Sequence, residues 1–134
     1  MELIIGGRAQ GKLAIAQTEY PSYKVLDGAS VSVLMPASEI YDEGEKIILD
    51  HAHILIRRML EAGMGQEQIE KEFTELQKCC DDIVVISDEI GSGIVPMDPF
   101  ERQWREVTGR VLTVIAASSD RVERVTCGLV QVLK

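Results

Sequence analysis

The residues with the clearest chemical potential lie at the start of the chain. Gly6-Gly7-Arg8-Ala9-Gln10-Gly11-Lys12-Leu13 fits G-x-x-x-x-G-K, directly after the apolar run Leu3-Ile4-Ile5 and directly before a stretch of helix formers. In that context glycines let the backbone curl until successive N–H groups face inward on phosphate oxygens, and the helix N-terminus adds positive partial charge. Lys12 would then reach the β- and γ-phosphates. The position after the lysine normally supplies a hydroxyl to Mg²⁺, and here it is Leu13, which has no oxygen to give. The competing account is a plain strand–turn–helix corner in which Gly6 and Gly7 serve only the turn.

Asp50 closes a second apolar run, Lys46-Ile47-Ile48-Leu49. An acid at the carboxyl end of a buried strand can hold Mg²⁺ through its water shell, and it can equally cap the helix that follows. The two histidines, His51 and His53, share a face on a strand but not on a helix. They read either as a metal or covalent-transfer pair or as helix-start residues without chemistry. A third segment, Ser87-Asp88-Glu89-Ile90-Gly91-Ser92-Gly93-Ile94-Val95-Pro96, follows another apolar run. In open α/β sheets ligands sit beyond the carboxyl ends of strands, so its acids and glycines are candidates for nucleotide or substrate contact. Arg105, in the helix beyond, can reach a phosphate or pair with Glu101 or Glu106.

These residues need a scaffold. Leu3-Ile4-Ile5, Lys46 to Leu49 and Ile83-Val84-Val85-Ile86 read as buried strands. Residues 23–26, 30–34, 122–127 and 129–133 read as further strands, and residues 36–44 as a loop. Residues 11–17, 52–61, 66–80 and 100–119 read as helices. In the last, Phe100, Trp104, Val107, Val111 and Val114 recur at helical spacing and mark a packed face. Continuous apolar strands alternating with helices predict an α/β fold with a mainly parallel, two-sided sheet flanked by helices.

Composition sets outer limits. The 134 residues predict one domain over 1–134, and a net charge of −8 argues against nucleic acid or an anionic membrane as a partner. Cys79, Cys80 and Cys127 have no zinc-ligand spacing and read as small buried apolar residues in a reducing compartment. Glu2 and two early glycines interrupt the start as a signal peptide would not, and no apolar stretch approaches bilayer length. The expectation is a soluble cytoplasmic protein.

Taken together, these motifs resemble the bifunctional adenosylcobinamide kinase/adenosylcobinamide-phosphate guanylyltransferase family of cobalamin biosynthesis. The resemblance rests on the opening strand–glycine loop–helix, on Ile48-Leu49-Asp50, and above all on the segment Ser87 to Pro96. In that segment the family's Ser-Asn-Glu-Val-Gly-x-Gly-Ile-Val-Pro differs only at Asp88 and Ile90. Arg105 with Gly109-Arg110, and Ala116-Ala117-Ser118-Ser119-Asp120, extend it. The resemblance implies a P-loop, RecA-like sheet and a homo-oligomer, often a trimer. It also implies phosphoryl transfer from ATP or GTP to a cobinamide hydroxyl, with Mg²⁺ as cofactor. Lys12 and Glu89 would then be the catalytic candidates, Gly6 to Leu13 the nucleotide cradle, and Asp50 the metal residue. Departures touch chemistry. The chain is shorter than typical members, residues 19–45 lack the histidine that accepts GMP in the family, and Leu13 and Leu112 replace polar residues. A degenerate nucleotide- or corrinoid-binding module, acting as regulator or complex subunit, is the alternative.

Overall fold

The computed structural model describes residues 1–33, 44–80 and 82–134. The strands are β1 (Glu2–Gly6), β2 (Lys24–Asp27), β3 (Lys46–Asp50), β4 (Asp82–Asp88), β5 (Arg121–Thr126) and β6 (Leu129–Val132). The helices are α1 (Lys12–Glu19), α2 (Ala52–Glu61), α3 (Gln66–Cys79) and α4 (Pro99–Ser118). The strands form one sheet in the order β2-β3-β4-β1-β5-β6, with the first five parallel and β6 antiparallel to β5. This is the mainly parallel sheet flanked by helices that the sequence predicts.

Strand alternation divides the core into two layers. Leu3, Ile47, Leu49, Ile83, Val85 and Val122 face α2, α3 and α4, meeting Ile56, Ile69, Phe73, Val111 and Ile115. Ile4, Ile48, Val84, Ile86 and Val125 face the other way, toward Ala16 of α1. Both faces are therefore covered, which is why the central strands are unbroken apolar runs. No described helix is long and apolar enough to cross a membrane.

Some expectations change. Residues 30–33 are turn and bend rather than strand. The amides of Ser30 and Val31 donate to the Asp27 carbonyl, and Arg58 donates to the carbonyls of Gly28 and Val31, so the local backbone curls around one guanidinium. Leu34 and residues 36–43 of the expected loop lie outside the described residues. Helix α4 begins at Pro99, with the Asp98 side chain accepting from the Phe100 amide. Its inward face runs through Val107, Val111 and Ile115, while Val114 is exposed, because the 20-residue helix drifts one position off the expected stripe. Cys80 is buried as expected, but Cys127 is exposed at the β5–β6 turn, where its φ is 50°.

Candidate functional site

The parallel register brings the carboxyl ends of four strands together. Gly6 stands beside Asp88, and Asp27 beside Asp50. Beyond these ends lies a cavity of about 720 Å³, lined by Arg8 to Ala14, Asp27, Asp50, His51, His53, Asp88 and Trp104 among others. The expected cradle residues that line it are Arg8, Ala9, Gln10, Gly11, Lys12 and Leu13, together with Asp50.

The loop from Gly6 to Gly11 owes its path to close packing. A Cβ on Gly6 would sit 2.4 Å from the Val125 carbonyl oxygen, so β1 leaves the sheet where only glycine fits. Gly11 adopts φ 93° and hands the chain into α1 at Lys12. Gln10 anchors the loop's outer side: its side-chain oxygen accepts from the Cys127 amide at 2.6 Å and its carbonyl from the Gly128 amide at 3.0 Å. The β5–β6 turn thus braces the loop, a contact 117 residues away in sequence.

Lys12 is nearly fully buried, and its ammonium is fully engaged. It donates to the Gly7 carbonyl at 2.6 Å, to the Gly6 carbonyl at 3.3 Å and to Asp88 Oδ1 at 2.7 Å. Asp88 is also shared with His53, whose Nε2 lies 3.4 Å from Oδ2. The His53 Nδ1 accepts from the Asp88 backbone amide at 3.1 Å, so its proton resides on Nε2. Trp104 stacks on His53 at 6.3 Å and donates its indole N–H to the His53 carbonyl at 2.7 Å. Burial, reinforced by the nearby His51 and Lys12, lowers the His53 pKa against the pull of Asp88.

His51 occupies the rim in left-handed backbone, φ 55°, and its Nδ1 lies 3.0 Å from Asp27 Oδ1 and 3.5 Å from Asp50 Oδ2. The Ala29 amide and then the His51 ring hold the Asp27 carboxyl below its ordinary range. Gly28 is needed here because a Cβ would sit 2.5 Å from the His51 carbonyl oxygen. Asp50 accepts from the His51 amide at 2.8 Å, as a helix-start acid would, while lining the cavity. Asp27, Asp50 and Asp88 line the cavity, and Asp50 could hold hydrated Mg²⁺ through its water shell, whereas Leu13 offers no inner-sphere oxygen.

Two other sequence candidates sit elsewhere. Glu89 makes a two-pronged pair with Arg124, at 2.8 and 3.1 Å, and lines a neighbouring cavity of about 500 Å³ rather than the one around Lys12. Arg105 donates to the Ile94 carbonyl at 2.6 Å, and Arg102 to those of Pro96 and Met97, so α4 grips the loop after β4 by its backbone. Arg110 pairs with Glu106 along the helix.

The family described as cobinamide kinase / cobinamide phosphate guanyltransferase matches residues 23–133. The chain belongs to this family. The match runs from just before β2 to the end of β6 and begins downstream of the Gly6–Leu13 loop. Among curated relatives, the bifunctional adenosylcobalamin biosynthesis protein CobU of Salmonella typhimurium is 33% identical over 63 residues, 47% of this chain and 35% of that protein. The protein of the same name from Escherichia coli is 32% identical over 62 residues, 46% of this chain and 34% of that protein. The matched stretch is thus about a third of each relative's length. Within this cobinamide kinase family member, sequence reasoning passed over Asp27 and Trp104. A strand ending in Asp beside the Asp50 strand was the available signal for the first. For Trp104, the signal was a lone tryptophan on the helix facing His53.

Proposed function

We propose that this chain is a nucleotide-dependent kinase that transfers a phosphoryl group from ATP or GTP to a hydroxyl of a cobinamide. The observation that carries the reading is the burial of the Lys12 ammonium against the Gly6–Gly7 carbonyls, in one cavity with Asp50 and Asp88. A lysine placed there, behind a glycine loop and at a helix start, is suited to a phosphate. Family membership supports the substrate class.

On this reading the loop amides and Lys12 bind the phosphates, Lys12 exchanging Asp88 for a phosphate oxygen. Asp88, released from Lys12 but still beside His53, orients the acceptor hydroxyl. Asp50 would hold Mg²⁺ through water, an ion that when bound would supply charge neutralisation on the phosphate oxygens. Catalysis is then positioning and electrostatics. Glu89 acts indirectly, through its pair with Arg124 at the start of the loop that carries Gly91 and Gly93. Guanylyl transfer through a histidine is not assigned, since residues 19–45 contain none.

A second reading, a nucleotide- or corrinoid-binding module without turnover, is favoured by Leu13 and by the complete engagement of Lys12. The experiment that separates the two is transfer of labelled γ-phosphate from ATP or GTP to cobinamide in the presence of Mg²⁺. Labelled cobinamide phosphate supports the kinase. Nucleotide binding without any transfer supports the module.

A further inference from the structure

The opposite end of the sheet holds a second cluster of acids that the nucleotide cavity does not use. Glu2 begins β1, about 13 Å along the strand from Gly6 at ~3.3 Å per residue. Its neighbours on the α1 side are Glu123 of β5 and Glu19, the last residue of α1. One carboxylate oxygen from each of Glu2, Glu19 and Glu123 lies within 4.8 Å of the others. Glu2 is 6% exposed and Glu123 is 0% exposed.

The two buried carboxylates are each half satisfied. Glu2 Oε2 accepts from the Tyr20 hydroxyl, and Glu123 Oε1 from Arg121. Glu2 Oε1 and Glu123 Oε2 are buried with no hydrogen-bond partner, and the Arg121 Nε is 3.9 Å from Glu2 Oε1, beyond bonding distance. Unpartnered buried carboxylate oxygens are costly, so native proteins pair them or give them a metal. Three carboxylates against the one guanidinium of Arg121 leave two negative charges. Burial first, and then repulsion from Glu123 and Glu19, raises the Glu2 pKa, which is the electrostatic stress a cation would relieve.

We propose that Glu2, Glu19 and Glu123 form a binding site for a hard divalent cation such as Ca²⁺. All ligand atoms are oxygens, which selects hard ions over zinc or copper. The three ligand oxygens lie within 4.8 Å of one another, close enough to share one such ion. The ion would tie the end of α1 to the starts of β1 and β5. Because Lys12 opens the same eight-residue helix, the site would brace the far end of the element that carries the phosphate-binding lysine.

Terbium luminescence tests this, with Tb³⁺ as the Ca²⁺ surrogate and Tyr20 and Tyr23, whose rings lie 4.8 Å apart beside the site, as sensitisers. The whole chain is used, with Asp50→Asn as the control that removes the metal residue of the nucleotide cavity. The expected result is saturable, Ca²⁺-displaceable emission in the native protein and in Asp50→Asn, weakened at least tenfold in Glu19→Gln. Glu19 is exposed, so this variant keeps the core intact; Glu123→Gln is the second variant. Ca²⁺ should raise the melting temperature of the native protein and not that of Glu19→Gln. Absence of Ca²⁺-displaceable emission, its loss in Asp50→Asn, or equal affinity in Glu19→Gln would overturn the proposal. So would a melting temperature that responds to protons but not to Ca²⁺, the behaviour of a carboxyl pair sharing one proton.

Discussion

Replacing Asp88 by asparagine should tighten nucleotide binding. In the structure Lys12 Nζ is held by Asp88 Oδ1 at 2.7 Å, with the lysine 6% and the aspartate 20% exposed, so water screens the pair poorly. An entering phosphate must break a bond charged on both sides in the native protein, and in the variant one charged only on the lysine side, weaker by about 1–1.5 kcal/mol. Asparagine also has one acceptor oxygen where aspartate has two, so it cannot serve both Lys12 and the protonated Nε2 of His53. The difference of about 1–1.5 kcal/mol corresponds to roughly tenfold in Kd. Removing one negative charge from a cavity that also holds Asp27 and Asp50 acts in the same direction. The assay is titration of Asp88→Asn and native protein with Mg·GTP and Mg·ATP by calorimetry. Affinity that is unchanged or weaker in the variant would refute the idea that Asp88 competes with phosphate for Lys12. Turnover should not rise with affinity, because the same carboxylate is assigned to the acceptor hydroxyl.

Other outcomes follow from the same geometry. Leu13→Ser supplies the missing hydroxyl, so Mg²⁺-dependent phosphoryl transfer should rise tenfold or more; an unchanged rate in a native protein that already turns over would show that the hydroxyl is not needed. Gly6→Ala forces a Cβ to 2.4 Å from the Val125 carbonyl oxygen and should cost about 2 kcal/mol, lowering Tm by roughly 6–10 °C in a thermal melt. The lowered pKa of His53 means that the unfolded chain takes up a proton first as pH falls through the ordinary value of 6.5. The His53 contribution to stability is therefore present above that value and is lost on acidification, with a slope of at most about 1.4 kcal/mol per pH unit. Denaturant titrations between pH 7 and 5 should show a shallower decline in His53→Asn, which keeps an acceptor for the Asp88 amide.

The parts of this molecule legible from sequence are those set by neighbours along the chain. Leu3 to Lys12 could be read as strand, loop and helix because the apolar run, the glycines and the lysine are contiguous. The buried strands around Ile48 and Val84 declared themselves because both faces are covered. The direction of the Lys12 side chain was not legible, since it depends on Asp88, 76 residues away. Likewise Glu89 and Arg105, singled out for chemistry, are drawn aside by Arg124 and by the Ile94 carbonyl. Those partners come from strand order and helix phase, which local pattern does not encode. Asp27 escaped notice because its strand is short and mostly exposed, and only its register beside Asp50 brings it to the cavity.

The central claim is that the cavity around Lys12 binds nucleotide phosphates, and calorimetric titration of native protein and Lys12→Met with GTP and ATP tests it most directly, each with and without Mg²⁺. Three cavity carboxylates against Lys12 and Arg8 leave the empty site unfavourable for a bare polyphosphate, so binding should need the ion. The account predicts micromolar binding of at least one nucleotide with Mg²⁺, much weaker binding without it, and loss in Lys12→Met. No binding of either nucleotide, or equal binding by Lys12→Met, would contradict it.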